Sequence, residues 1–341
     1  MADSRPVFLT GGTGFVGEAI LARLIADGRT VRALTRSDAG AERLASAGAD
    51  PVHGDILDPV GLSAAMDTCD VVYHVAGLNG FCLPDPSQLS RMNVTGTVNV
   101  VRAAGTAGVR RVVYTSSAAT IGEAHGTVGR EDSTHRGSFL SHYEHSKWQA
   151  ERDAFAAAAA AGVELVSVNP ASVQGPGRTR GTARLLLGYL NGTLKTVIDS
   201  RMSVVDIADC ADAHLRAEEC GVSGERYVIS GATLTVREAI GVMAAIAGIE
   251  GVPRVLPAPA AMATATLIGA IGRVRRRRAP LCREMMRTLL HGHAYDGSRA
   301  TRELGLTYTP LEETLRRTLA WYRQNGFITR PLPGSPTVSE V

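Results

Sequence analysis

Residues 7–17 read VFLTGGTGFVG, a short apolar run that passes through a glycine-rich turn into a second apolar run. The first run predicts a buried strand, and the residues from about Phe15 to Ala26 predict a helix that Gly28 can end. A strand, a glycine turn and a helix in this order are typical of the first unit of a dinucleotide-binding sheet. This stretch therefore predicts the fold class before any other segment is considered.

Each of the three spaced glycines has its own expected role in this turn. Gly11 allows the tight turn off the strand, Gly14 lets the backbone approach a pyrophosphate, and Gly17 allows the helix to pack closely on the strand. The positive end of the helix then stabilises the phosphates. We predict a bound dinucleotide contacted by this loop, through Gly11, Thr13, Gly14, Phe15, Val16 and Gly17.

Predicted strands and helices alternate along the first half of the chain. This alternation predicts an α/β fold with a Rossmann-type, doubly wound parallel sheet, and a ligand at the carboxyl ends of its strands. The further predicted strands lie at 31–34, 51–53, 71–75, 112–115 and 163–168, and the further helices at 88–107 and 143–161.

After Pro170 the alternation of predicted strands and helices becomes less regular. This change predicts a smaller C-terminal α/β region that binds the substrate. The tail is rich in proline and serine, a composition that favours disorder. The predicted division is 1–172 for the dinucleotide-binding domain with a return segment at about 199–224, 173–198 and 225–330 for the substrate-binding region, and 331–341 for a disordered tail.

Composition excludes several classes of protein. The chain has 341 residues, 45% hydrophobic and 20% charged, with a formal net charge of +3, so nothing in its overall charge favours nucleic acid as a partner. Its longest apolar candidate, residues 258–272, is shorter than the roughly 18 residues that a membrane span needs. No apolar region typical of a signal peptide follows Met1. We therefore expect a cytoplasmic protein.

The five cysteines are scattered and form no Cys-x-x-Cys pair. In a cytosolic protein such a distribution favours reduced thiols over a disulfide framework or a zinc site. His291 and His293 are too few ligands for a metal site, and we expect none.

The end of the second strand bears on the choice of cofactor. An acidic residue at this place would bond the ribose 2′-hydroxyl of NAD, whereas this chain has Arg36, whose guanidinium suits a 2′-phosphate. The alternatives are that Arg36 is a solvated surface residue, or that the nearby Asp38 takes the acidic role. We favour NADP(H), with NAD(H) as the alternative. Other predicted cofactor contacts follow the third and fourth strands: Asp55, Ile56, Ala76 and Gly77.

Tyr143 and Lys147 are the most informative pair for chemistry. Four residues apart on a helix, their side chains lie on one face, one turn apart. A neighbouring ammonium favours the phenolate, which predicts a lowered pKa for Tyr143 and a proton donor or acceptor useful near neutral pH.

Taken together, these motifs resemble the extended short-chain dehydrogenase/reductase family over nearly the whole chain. Within it, the closer likeness is to dihydroflavonol-4-reductase-like proteins and hopanoid-associated sugar epimerases of bacteria, and hydroxysteroid dehydrogenases share much of the pattern. The matching segments are 11–17 (GGTGFVG), 54–55 (GD), 74–77 (HVAG), 93–99 (NVTGTVN), 114–118 (YTSSA), 143–147 (YEHSK), 169–177 (NPASVQGPG) and 321–323 (WYR).

The resemblance implies a role for several positions. Tyr143 would donate or accept the proton, Lys147 would hold the nicotinamide ribose, and Ser117 would polarise the substrate oxygen, with Ser116 as the neighbouring alternative. Asn93 has a family counterpart near the active site, but we interpret it as a structural amide that ties down loops. The nicotinamide carboxamide would meet the backbone near Pro170, Ser172 and Val173.

The resemblance therefore implies an NADP(H)-dependent oxidoreductase that interconverts a carbonyl and an alcohol on a small molecule. The alternatives are an NAD-dependent sugar-nucleotide epimerase and, more remotely, a non-catalytic NADP(H) sensor. Ser117 is followed by Ala118-Ala119-Thr120-Ile121 with no acidic residue, which disfavours the dehydratases of this family. Family members commonly dimerise through the helix that carries the tyrosine and lysine, so a homodimer is implied.

Three further segments leave alternatives open. The basic run 273–278 could rest on an anionic membrane surface with the apolar residues before it, but we interpret it as a solvated loop. Residues 81–83 either line the substrate pocket or pack on their own domain. Arg178 and Arg180 either bind a substrate diphosphate or are exposed.

Overall fold

Seven short strands form one parallel sheet in the computed structural model, which describes residues 5–333. Their order across this sheet is β10-β6-β5-β4-β1-β2-β3, so the chain winds outward from β1 in both directions. This is the doubly wound topology that the sequence predicts, and the predicted fold class is confirmed. The strands are β1 (Val7–Thr10), β2 (Val31–Thr35), β3 (Asp50–His53), β4 (Val71–His74), β5 (Arg111–Thr115), β6 (Glu164–Pro170) and β10 (Arg226–Ile229).

Helices cover both faces of this sheet, because successive side chains of a strand point to opposite faces and both sets here are apolar. One core lies under α1 and α8, and the other under α3, α5 and α6. The helices are α1 (Phe15–Ala26), α2 (Asp38–Ser46), α3 (Pro59–Ala65), α4 (Ser87–Leu89), α5 (Gly96–Thr106), α6 (His142–Ala161) and α8 (Ile207–Glu219), with a π-helical turn at Ser90–Thr95 and a 3₁₀ turn at Ala118–Ile121.

The C-terminal half adds a smaller layer with its own apolar core. A three-stranded sheet has the order β11-β9-β7, and β12 pairs with β8. The additional elements are β7 (Ser172–Gln174), α7 (Ala183–Leu190), β8 (Thr196–Val197), β9 (Arg201–Asp206), β11 (Ala232–Thr235), α9 (Val236–Ala247), β12 (Arg254–Val255), α10 (Ala258–Val274), α11 (Arg283–His291), α12 (Ser298–Leu304) and α13 (Leu311–Gln324).

One predicted boundary differs from the structure. Within the predicted return segment at 199–224, α8 does pack against α1 and the large sheet, but β9 pairs with β7 and β11 instead. The strand that completes the large sheet is β10, which the predicted boundary at residue 225 assigns to the substrate-binding region. β10 joins the sheet because Tyr227, Val228 and Ile229 are fully buried there beside β6.

None of the helices among residues 5–333 combines the length and apolar character needed to cross a bilayer. The predicted disordered tail falls mostly on residues 334–341, which lie outside the described residues.

The expectation of reduced thiols is wrong for two of the five cysteines. Cys82, in the loop after β4, forms a disulfide with Cys282 at the start of α11, while Cys69, Cys210 and Cys220 are free. The two partners are 200 residues apart in the chain, so no spacing pattern indicates the pair. Only the packing of α11 beside the loop after β4 brings them together.

Candidate active site

The glycine turn lies at the carboxyl end of β1 and directly against the end of β4. Gly11 has a φ of +74°, and a Cβ there would lie 2.6 Å from the backbone nitrogen of Ala76. A Cβ on Gly17 would lie 2.1 Å from the carbonyl oxygen of Gly11. Both positions therefore require glycine, Gly11 for conformation and contact and Gly17 for the packing of α1 on the turn.

The N-terminus of α1 has the features of an anion-binding site. Gly14 caps this helix in an extended conformation, and no side chain occupies the capping position. The helix dipole and the first backbone amides are therefore open to a phosphate, as the glycine spacing predicts. Thr13 and Val16 flank this opening. The ring of Phe15 lies beneath the guanidinium of Arg178, whose Cζ is 5.4 Å from the centroid of that ring.

Arg36 directly follows β2 at the same edge of the sheet. Its side chain is 66% exposed, and its Nη1 lies 3.8 Å from Oδ2 of Asp55. An exposed pair at this distance contributes only about 0–1 kcal/mol, so Arg36 is free to bind a ligand phosphate instead. The nearby Arg32 is not available in this way, because its Nη1 donates to the carbonyl oxygens of Ala65 and Asp67 and so has a structural role.

The residues after β3 and β4 complete the surroundings of the expected cofactor. Oδ1 of Asp55 accepts from the backbone of Leu57 at 3.0 Å, which leaves its other oxygen toward Arg36. Ile56 is 4% exposed and packs against Gly96, so its side chain supports the loop from inside. Gly77 lies against the amide of Asn93, whose Oδ1 would be 3.3 Å from an added Cβ.

Asn93 lies in the π-helical turn and ties three segments together, as the structural interpretation of this residue predicts. Its Oδ1 accepts from the amide of Leu78 at 2.7 Å, and its Nδ2 donates to the carbonyl of Leu78 and to Oγ of Ser146 at 3.0 and 2.9 Å. The amide thus joins the loop after β4 to α6, the helix that carries Tyr143.

Tyr143 lies in the first turn of α6, where Ser141 caps the helix by accepting from the amide of Glu144 at 3.2 Å. The hydroxyl of Ser117 contacts Tyr143 and lowers its pKa by hydrogen bonding. Ser116 lies on the other side of the strand end, where its hydroxyl is buried near Tyr114. The geometry therefore favours Ser117 over Ser116 as the partner of the Tyr143 phenol.

The expected sign of the pKa shift of Tyr143 is wrong. Burial raises the pKa of this phenol, and the opposing effects come from Ser117 and from the positive charge of Arg178, not from Lys147. The physical reason is that desolvation disfavours the phenolate, while the lysine ammonium points to other partners. Lys147 is thus one turn from Tyr143 in the helix without providing the charge that lowers its pKa.

Lys147 is 5% exposed and is held by the end of β5. Its Nζ donates to the hydroxyl of Tyr114 at 2.9 Å and to the carbonyl oxygen of Thr115 at 2.8 Å, and lies 4.6 Å from the centroid of the Tyr114 ring. Burial lowers the pKa of Lys147 to about 8, while the nearby carboxylate of Glu151 raises it. The charge of this lysine is therefore sensitive to pH near neutrality.

Glu151, a residue that the sequence does not single out, lies one further turn along α6 and is 4% exposed. Its spacing of four from Lys147 is a signal, but such pairs are common on helix surfaces. The fold makes it different, because polar side chains from three separate elements, the 3₁₀ turn, β6 and β10, converge on this carboxylate: Thr120, Ser167, Asn169 and Arg226.

We predict that Glu151→Gln shifts the alkaline limb of catalysis. Removing the negative charge that raises the pKa of Lys147 moves that pKa below about 8, so the ammonium is lost at lower pH. At pH 8 the variant should retain less than about half of its maximal turnover. The pH profile of kcat checks this. Asp153→Asn, the same change two residues along α6, should leave the profile in place, and an unchanged profile for Glu151→Gln would contradict the role.

The loop after β4 closes over Tyr143, which favours the pocket interpretation of residues 81–83. The ring of Phe81 meets that of Tyr143 edge-on, with centroids 6.2 Å apart. The disulfide of Cys82 fixes this loop to α11, and Glu284 accepts from the backbone amides of both Cys82 and His142 at 2.6 and 3.1 Å. The C-terminal region thus holds the loop against the start of α6.

Arg178 belongs to the site, whereas Arg180 is exposed. The charge of Arg178 lowers the pKa of Tyr143, and its Nε is buried without a hydrogen-bond partner in the described part of the chain. Its carbonyl accepts from the hydroxyl of Tyr322 at 2.7 Å. Pro170, at the end of β6, and Val173, in β7, are both buried beside this region.

Comparison with known proteins identifies the family of the chain. Residues 7–230 match the model of the NAD dependent epimerase/dehydratase family. A "Putative dihydroflavonol 4-reductase" of Synechocystis sp. is 30% identical over 96% of this chain and 97% of its own length. "Sterol demethylase protein B" of Methylococcus capsulatus is 28% identical over 94% of this chain and 99% of its own.

Among solved structures, the chain is similar to PA4631, described as a nucleoside-diphosphate-sugar epimerase from Pseudomonas aeruginosa. The TM-score is 0.75 at 26% identity, and the match covers 96% of this chain and all of that one. The family match covers well over half of the chain, and it includes the glycine turn and the positions of Ser117, Tyr143 and Lys147. The chain therefore belongs to the NAD dependent epimerase/dehydratase family, the extended short-chain dehydrogenases/reductases.

Proposed function

We propose that this protein is an NADP(H)-dependent oxidoreductase that interconverts a carbonyl and an alcohol. The observation that carries the proposal is the meeting of Ser117 and Tyr143 at the carboxyl edge of the sheet, beside a buried Lys147 and at the same edge as the exposed Arg36. Two relatives are named as a dihydroflavonol reductase and a sterol demethylase protein, and these names support a carbonyl substrate of low polarity.

The residues present fit the dinucleotide. The uncapped N-terminus of α1 suits its pyrophosphate, and the small residues Ala76 and Gly77 leave room beside it. Arg36 would hold the 2′-phosphate of NADP(H), and Lys147 the nicotinamide ribose. When bound, the nicotinamide supplies or accepts the hydride.

The side chains of the protein transfer the proton and stabilise the charge on the substrate oxygen. In reduction, Tyr143 donates its proton to the oxygen, and Ser117 donates a hydrogen bond as negative charge develops there. The raised pKa of Tyr143 keeps the phenol protonated and ready to donate. Arg178, on the same side as Tyr143, stabilises the phenolate that remains.

We predict that Arg36→Asp reverses the preference for NADP(H). The variant loses a charge-assisted hydrogen bond to the 2′-phosphate worth roughly 1.5–3 kcal/mol, or about 10- to 100-fold in affinity. The affinity for NAD(H), which has no such phosphate, should change far less. Titration by nicotinamide fluorescence checks both. Arg102→Asp, the same charge change on the exposed side of α5, should alter neither, and equal affinities of Arg36→Asp and the wild type for NADPH would contradict the assignment.

The second candidate is a sugar-nucleotide epimerase, which the similarity to PA4631 favours. An epimerase retains its cofactor and restores it in each cycle, so it shows no net oxidation of NADPH. The two activities separate in one experiment. The purified protein is first tested for retained nucleotide, then incubated with NADPH and a panel of aromatic and sterol-like ketones and aldehydes, and separately with UDP-sugars.

Exchangeable NADP(H) and consumption of NADPH with a ketone or aldehyde support the reductase. Tightly retained NAD and interconversion of UDP-sugar isomers would replace it with the epimerase. A non-catalytic sensor ranks below both, because Tyr143 and Lys147 are both present.

A further inference from the structure

Three side chains of metal-ligating types, one buried and two partly buried, form a group outside the site described above. Glu123 follows the 3₁₀ turn that begins after Ser117, and His291 and His293 lie at the end of α11 and just beyond it. Their ligand atoms all lie within 4.8 Å of one another. Oε1 of Glu123 lies 2.6 Å from Nδ1 of His293 and 3.7 Å from Nε2 of His291.

Hydrogen bonds within the described part of the protein leave two polar atoms of this group without a partner. The side chains of Glu123 and His291 are only 1% and 8% exposed. Oε2 of Glu123 and Nε2 of His291 are buried without a hydrogen-bond partner among the described residues. Buried polar atoms without partners cost free energy unless something else binds them. The bond between Glu123 and His293 alone explains neither atom.

The backbone allows both imidazoles to reach one carboxylate. Gly292, between the two histidines, has a φ of +65°, a backbone conformation that residues other than glycine rarely adopt. A Cβ there would lie 3.2 Å from the backbone nitrogen of Arg201. The turn at Gly292 therefore directs His291 and His293 to the same place.

The surrounding charges and rings define the environment of the group. Arg136 is the nearby cation, but it forms an ion pair with the buried Glu144, which offsets its charge. Its Nη1 donates to the carbonyl oxygen of Glu123 at 3.3 Å, not to the carboxylate. His125 packs against His291, and Tyr295 stacks on His293.

We propose that Glu123, His291 and His293 bind one divalent transition-metal cation of the zinc class. Two imidazoles and one carboxylate are a ligand set that Zn²⁺ accepts, whereas Mg²⁺ and Ca²⁺ prefer oxygen alone. The ion would satisfy both unpartnered atoms at once. It would also join the loop that follows Ser117 to the C-terminal region, across about 170 positions of sequence.

The test uses the full-length protein, treated with a chelator, freed of chelator and kept without reductant. After addition of Zn²⁺ and gel filtration, the wild type should retain one equivalent by elemental analysis and gain thermal stability. Co²⁺ in place of Zn²⁺ should give visible bands of a nitrogen- and oxygen-ligated ion without a thiolate band. Glu123→Gln and His293→Gln should each weaken binding by at least about 100-fold. His53→Gln, an exposed histidine elsewhere, should bind as the wild type does.

The competing site consists of Cys82, Cys282 and Glu284, which could bind metal only if the disulfide were reduced. Loss of Zn²⁺ in Cys82→Ser with binding retained in Glu123→Gln would overturn the proposal. A folded wild type that retains no Zn²⁺ or Co²⁺ would overturn it too. Circular dichroism of Glu123→Gln separates lost binding from lost folding, and the Co²⁺ spectrum of the wild type identifies the ligands even where a variant fails to fold.

Discussion

Tyr143→Phe should lower kcat by about 100- to 10,000-fold while NADPH still binds with nearly the wild-type affinity. General acid catalysis contributes about this much, and the phenylalanine ring retains the packing against Phe81 while it removes the proton. Because Lys147 donates its hydrogen bonds to the hydroxyl of Tyr114 and the carbonyl oxygen of Thr115, its position does not depend on the lost hydroxyl. The measurement is the steady-state rate on the carbonyl substrate found with NADPH, together with a fluorescence titration of the cofactor.

The matched control is Tyr227→Phe. The hydroxyl of Tyr227, in β10, accepts from the amide of Val222 at 3.2 Å, at the end of the sheet away from the glycine turn. This variant loses one buried hydroxyl and should retain its turnover. Near-normal kcat in Tyr143→Phe would remove Tyr143 from the proton-transfer role, and a parallel loss of NADPH affinity would indicate a structural role instead.

Gly17→Ala should weaken the binding of NADP(H) and NAD(H) alike by at least about 100-fold, the equivalent of two charge-assisted hydrogen bonds of roughly 1.5 kcal/mol each. The added methyl group would lie 2.1 Å from the carbonyl oxygen of Gly11, which is backbone and cannot rotate away. Helix α1 must therefore move off the turn, which displaces the amides that bind the phosphates. Overpacking of this kind also lowers the free energy of unfolding by about 1–3 kcal/mol. Titration and chemical denaturation measure the two effects.

Gly241→Ala provides the opposite result in the same protein. Gly241 lies inside α9, and a Cβ there meets nothing within 4 Å. Alanine should raise the free energy of unfolding by roughly 0.5–1 kcal/mol and leave cofactor affinity unchanged. Unaltered cofactor affinity in Gly17→Ala would show that the third glycine is dispensable, and the packing argument would then be wrong.

The sequence predicts well wherever the chemistry is local. The turn of residues 11–17 needs glycine because each constraint acts within a few residues of it or on the adjacent strand. The alternation of apolar strands and helices predicts the doubly wound sheet, because each strand must be buried on both faces. Tyr143 and Lys147 are recognised because a spacing of four places them on one face of α6.

The sequence fails wherever a side chain takes its partner from a distant segment. Lys147 is next to Tyr143 on the helix, but its ammonium donates to Tyr114 and Thr115 at the end of β5. Burial of the phenol then raises the pKa of Tyr143, the opposite of the expected shift. The helix pattern contains no information about which strand end lies beneath that face.

The disulfide, the buried carboxylate of Glu151 and the group of Glu123 with His291 and His293 also depend on contacts between distant segments. Cys82 meets Cys282 across 200 residues, and Glu123 meets His293 across 170. By itself, the sequence determined the sheet, the glycine turn and the helix that carries Tyr143 and Lys147, since turn sterics and hydrophobic periodicity act over a few positions. The tertiary structure alone decided which charges and thiols face one another, because electrostatics and covalent bonding depend on distances in space that only the packed chain establishes.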